Sequence, residues 1–171
     1  MSNPLDKISK EKLRDLLTRC WMTHDAMWFF HSLQEVGIDA TNRINRAAVR
    51  DMAALEAQRL KKALGRADER LNDFSTLKTL FEEMFGVIKA DFMKGSMEFT
   101  GENVLRLSWH QCFAFEGINR MGIIDHYQCG IFDRIDGWFN GLGLKFEVSP
   151  KVDGCMMAKE GKCYRDYSIF F

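Results

Sequence analysis

The chain has two prolines in 171 residues, no net charge and no apolar run approaching 18 residues, and each shortage excludes something. So few prolines, with a globular share of apolar and charged residues, exclude long extended linkers and low-complexity tails. The basic and acidic residues number 24 each, so the molecule as a whole has no electrostatic pull toward nucleic acid or an anionic membrane. Without a long apolar run there is no candidate membrane-spanning helix. The opening MSNPLDKISKEK also lacks the apolar centre of an export signal. The expectation is a cytoplasmic protein with neither a membrane nor a nucleic-acid partner. Catalytic signatures are missing as well: there is no Gly-x-Ser-x-Gly elbow, no His-Glu-x-x-His pair and no phosphate-binding loop.

What remains is a chain of a length that suits one domain over 1–171, able to bury a core without covalent staples. Leu13, Leu16, Leu17, Cys20, His24, Met27 and His31 recur at three- and four-residue steps. They predict a helix that opens near Asn3-Pro4 and ends at Gly37. Trp21, Asp25, Trp28 and Phe29 form a neighbouring seam on it. A second helix is predicted from Thr41 to Leu64, stopping at Gly65, and a third from Phe74 to Phe92, whose apolar stripe is wider than one seam. The stretch Arg43 to Arg70 is locally basic, but Asp51, Glu56, Asp68 and Glu69 are interleaved with the cations. It reads as a solvated helix face.

The pattern then changes. SMEFTGENVLRLSW reads as a hairpin turning at Thr100-Gly101-Glu102. Gln111–Met121 and Cys129–Leu142 look helical, and Lys145–Ser149 and Tyr164–Phe171 look like strands. The expected fold is α+β, with N-terminal helices followed by a small, mainly antiparallel four-stranded sheet covered by helices. Residues 1–92 make the mainly helical part and residues 93–171 the α+β part that carries metal and ligand. The Trp-, Phe- and Met-rich first helices suit a homodimer face.

Five cysteines are present, and only Cys20 lies outside the last 60 residues, where Cys112, Cys129, Cys155 and Cys163 gather. An odd count without an export signal disfavours a disulfide framework. Thiolates are the soft ligands of zinc and of iron–sulfur clusters, and four of them fill a tetrahedral shell. Cys155 and Cys163 flank Gly161 in a turn between two strands, a geometry that can bring both sulfurs to one ion. Scattered core thiols are the competing reading, and the residues alone leave both open.

From Val104 onward the sequence resembles the 4-vinyl-reductase-type small-molecule-binding domain, the sensory domain of phenol-responsive bacterial regulators. The family's cysteine intervals of 26 and eight residues are reproduced by Cys129, Cys155 and Cys163, and its Trp-x-x-Cys segment by Trp109-His110-Gln111-Cys112. Gly161-Lys162-Cys163-Tyr164 approximates the family's Gly-x-x-x-Cys-x-aromatic ending, with two residues fewer between glycine and cysteine. The resemblance implies a structural zinc, ahead of an iron–sulfur cluster, that ties the helix at Cys129 to the terminal hairpin. A fully ligated ion of this kind leaves no position for an activated water. Where the family often has a ligating glutamate this chain has Val152. Cys112 is therefore the expected fourth ligand, with Asp153, His110 and His126 behind it. Trp109 and His110 fall where the sensory domains contact their ligands, which implies a small apolar or aromatic molecule.

The stretch WMTHDAMWFFH resembles an uncharacterised bacterial family with Trp-x-x-His-Asp-x-x-Trp-Phe near its N-terminus and a cysteine-rich second half. That family is distantly similar to L-2-amino-thiazoline-4-carboxylate hydrolases. One reading makes His24, Asp25 and Trp28 part of an aromatic ligand pocket, and the other makes this a packing helix. The expected function is a metal-stabilised small-molecule-binding or sensory domain with no catalytic residue assigned. The alternative is a small metal-dependent hydrolase using His24, Asp25 and His110.

Overall fold

The structure, a computed structural model, describes residues 3–171. Asn3 accepts from the Leu5 amide to start a short 3-10 turn at Pro4–Lys7, and Ser9 caps the long helix α1 (Lys10–Ala63) by accepting from the Lys12 amide. A short polar side chain just before the first turn satisfies an amide that the helix cannot. Gly37 interrupts α1 with φ 74° and ψ 171°, a conformation that essentially only glycine adopts. The expected break is therefore present. The second segment resumes at once instead of at Thr41, so the two helical segments abut with no loop between them.

Asp73 caps α2 (Phe74–Ile88) by accepting from the Thr76 amide at 2.8 Å. The helix stops short of Phe92, and a turn runs into β1 (Lys94–Gly101). β2 (Val104–Gln111) pairs antiparallel with β1, and Asn103 takes the positive φ of 58° that the tight connection requires. α3 (Phe113–Arg120) and α4 (Ile131–Gly141) follow, then β3 (Lys145–Ser149), the five-residue α5 (Met156–Glu160) and β4 (Tyr164–Phe170). The sheet order is β1-β2-β4-β3 with every neighbouring pair antiparallel. The fold is α+β, as the periodicities predict. α5 is the element the sequence does not announce: the segment from Cys155 to Cys163 reads as a plain turn but coils once before Gly161, at φ 67°, ends it.

The core lies between the sheet and the pair α2 and α4. Leu77, Leu80, Phe81 and Met84 of α2 meet Trp138 and Phe139 of α4 over Leu105, Leu107, Tyr167 and Ile169 of the sheet. Each such large side chain contributes roughly 1.5–3 kcal/mol through burial. The second half of α1 packs on α4 at very short range, because Gly137 and Gly141 offer no Cβ against Ala53 and Ala54. The basic stretch from Arg43 to Arg70 is not simply a solvated face. Arg46 and Arg50 bind the buried Asp133, Glu56 binds Arg134 at 2.6 Å, and Arg66 binds Glu83 at 2.7 Å. Its charges form polar seams to α4 and α2. Among the described residues no helix is long and apolar enough to cross a membrane.

Candidate metal centre and adjoining cavities

Pairing of β2 with β4 brings distant segments to one end of the sheet. Ser108 lies opposite Tyr164, and the Trp109 amide donates to the Cys163 carbonyl at 2.8 Å. Cys112, the residue after the end of β2, is therefore held close to Cys163. It also caps α3, its sulfur accepting from the Phe115 amide at 3.5 Å. Cys129 precedes the N-terminus of α4, and Cys155 precedes that of α5. All four sulfur-bearing residues line one cavity of about 20 Å³, together with Arg46, Asp133 and Arg165. A space of that size holds a single water-sized guest. It admits an ion and excludes an organic molecule.

The thiols respond to this crowding. Burial, with the neighbouring sulfurs adding to it, pushes Cys129 and Cys163 up to about 12 and raises Cys112 above the ordinary thiol range. Metal-free, they are protonated thiols at neutral pH. As they stand, no group of three or more His, Cys, Asp or Glu among the described residues is arranged to hold a metal ion. The sulfurs share a cavity wall without yet forming a closed cage.

The donor set nonetheless fits a dication. Four thiolates around a divalent ion carry a net charge of two minus, and the same cavity is lined by Arg46 and Arg165, together with Asp133, which pairs with Arg46. The Arg165 Nε is buried with no hydrogen-bond partner, which is costly unless an acceptor reaches it. An N–H to thiolate hydrogen bond is a common outer support of a metal–sulfur centre. Arg46 is anchored from the other side by Asp133, at 2.7 Å. Sequence reasoning missed both arginines, since neither has a spacing relation to the cysteines. Of the expected fourth ligands, Cys112 is in the wall, while Asp153, His110 and His126 are not.

The expected ligand-pocket residues do not share one site. Trp109 lines an apolar cavity of about 60 Å³ with Phe85, Ile88, Phe113 and Trp138, and its ring meets Phe132 edge-on at 5.5 Å. His110 points to a separate open cleft of about 400 Å³ that shares Lys89, Met93 and Gly95 with the first. Its Nε2 lies 3.1 Å from the Ser96 hydroxyl. Neither cavity includes His24, Asp25 or Trp28 in its wall. His24 and Trp28 stand exposed on the outside of α1, and Asp25 sits 3.6 Å from the His24 Nδ1. Burial raises the Asp25 carboxyl above its usual range, although His24 partly offsets this. The physical reason for the separation is the helical phase. The buried side of α1 carries Phe29, which packs edge-on against Tyr127, and this turns His24 and Trp28 outward.

Comparison with known proteins adds one relation. Residues 6–134 match the model of a family of unknown function (DUF6125), a span that includes Cys112 and Cys129 but stops before Cys155 and Cys163. No curated protein and no solved structure matches the chain.

Proposed function

We propose that this chain, which belongs to the DUF6125 family of unknown function, is a zinc-stabilised domain that binds a small apolar or aromatic molecule. The observation that carries the reading is the gathering of Cys112, Cys129, Cys155 and Cys163 around one ion-sized cavity beside Arg46 and Arg165. Four cysteines holding the ion would fill its coordination shell, and four protein ligands make such a site structural. The zinc supplies a crosslink among β2, α4, α5 and β4. The likeness to 4-vinyl-reductase-type domains belongs to the same proposal and rests on the cysteine intervals and on Trp109-His110.

The ligand reading rests on Trp109 and His110. The apolar cavity beside Trp109 takes only a group of a few heavy atoms, being far smaller than the roughly 300–1,000 Å³ of ordinary ligand pockets. The adjoining cleft is large enough for the rest of a molecule. An apolar end lodged against Trp109 and Trp138, with a polar end near His110, fits this shape. A hydrolase built on His24, Asp25 and His110 draws no support, because the cleft of His110 contains neither of the other two.

Elemental analysis of the protein purified without added metal is expected to give about one zinc per chain, and none in a Cys129→Ser, Cys163→Ser variant. A metal-free protein that takes up no zinc on titration sinks the metal half of the proposal. Titration with phenol, followed by tryptophan fluorescence, tests the ligand half: the signal change is expected to vanish in Trp109→Leu. A response independent of Trp109 rejects the pocket.

A further inference from the structure

The outer face of the first segment of α1 is exposed yet apolar. Leu16 is 51% exposed, Leu17 60%, Met27 50% and Trp28 65%. Cys20, His24 and His31 are exposed on the same face, and Leu13 is half-buried at its edge. These positions recur at helical spacing, so they form one stripe, and from Leu16 to His31 it carries no residue of fixed charge. A solvated helix ordinarily presents charge there. Chance scatter of single apolar residues over a surface needs no explanation, but a continuous stripe marks a contact.

The stripe has a symmetry that names its partner. Every member has a counterpart equally distant from Met22: Cys20 answers His24, Leu17 answers Met27, Leu16 answers Trp28, and Leu13 answers His31. A two-fold interface requires that residue i touch j while j touches i. Two such helices laid antiparallel, with the axis at the level of Met22, bring each member to the height of its counterpart. The charges at the ends agree. The same register sets the exposed Lys10 of one helix opposite Gln34 of the other, one residue from the exposed Glu35, twice per pair.

We infer that this face pairs antiparallel with the same face of a second copy of the chain, centred on Met22. The apolar members cover one another, and Cys20 and His24 of both protomers meet at the axis. The interface lies on the helical part, away from the cysteine cavity, and is independent of metal or ligand.

Sedimentation of the full chain at micromolar concentration tests this. The wild type is expected to be a dimer. Leu17→Glu and Trp28→Glu, at positions already exposed in the single chain, are expected to weaken it roughly thirtyfold or more, as loss of a central contact does, with unchanged circular dichroism. Lys10→Glu and Glu35→Lys are each expected to weaken the dimer a few-fold, and combining them to restore it, which a parallel or unrelated contact would not do. A monomeric wild type overturns the inference. So does a dimer indifferent to Leu17→Glu and Trp28→Glu, a double charge reversal without rescue, or a monomer that instead co-sediments with lipid vesicles.

Discussion

At the scale of single residues, two helical glycines make opposite predictions from the same substitution. At Gly137 an added Cβ meets the Arg50 carbonyl and lies 2.8 Å from the Ala53 Cβ, whereas at Gly86 nothing lies within 4 Å. Gly137→Ala is expected to destabilise by about 1–3 kcal/mol through overpacking. Gly86→Ala is expected to stabilise by up to about 1 kcal/mol through helix propensity. Chemical denaturation of the two variants checks the sign. The thiols give a pH dependence. Cys129 and Cys163 titrate near 12 in the metal-free fold but near 8.5 in an unfolded chain. Ionisation therefore favours unfolding, and stability of the metal-free protein is expected to fall as pH rises from about 8.5 toward 12. Zinc binding is expected to release one proton for each sulfur ligated, measurable in weakly buffered solution. A zinc-loaded protein that loses stability over the same alkaline range as the metal-free form contradicts this account.

At the scale of elements, the joint at Gly37 and the seam between α1 and α4 decide how the helical part sits. Gly37 has open space around a notional Cβ, yet its φ of 74° is unsuited to other residues. Gly37→Ala is expected to cost about 1–3 kcal/mol in thermal or denaturant unfolding, from backbone strain alone. A neutral result would mean that α1 straightens at no cost. Asp133 is 3% exposed and receives both Arg46 and Arg50, which are themselves over 40% exposed. Asp133→Ala frees two arginines that water can resolvate, so the cost is expected near the low end for charged hydrogen bonds, about 1.5 kcal/mol. Because Arg46 also lines the cysteine cavity, the same variant is expected to weaken zinc binding, readable by competition with a chromogenic chelator. α1 illustrates what a sequence conveys about an element. The spacing from Leu13 to His31 and the glycine break are local, and both are present. The abutting of the two segments is not local, because it is fixed by α4 packing on the second and Tyr127 on the first.

At the scale of the whole molecule, the metal proposal amounts to a crosslink among segments distant in the chain. A ligand that binds only the folded state stabilises by about 4 kcal/mol at a concentration a thousandfold above its Kd. For a chain of this size that is roughly 8–16 °C in Tm. Removal of zinc by a chelator is expected to lower Tm by that amount, and re-addition to restore it. An unchanged Tm after verified metal removal would leave the four thiols as ordinary core residues.

The sequence by itself determined what depends on neighbours along the chain: the helical and strand periods, the break at Gly37, and the α+β order. It also held the cysteine intervals, although an interval is not a place. Only the tertiary structure decided that Cys112, rather than Asp153, His110 or His126, stands in the wall with Cys129, Cys155 and Cys163. It likewise brought Arg46 and Arg165 to that wall and sent His24 and Trp28 outward. The physical reason is that antiparallel pairing of β2 with β4 and the packing of α1 on α4 join residues far apart in the chain. No local period records which of those residues will meet.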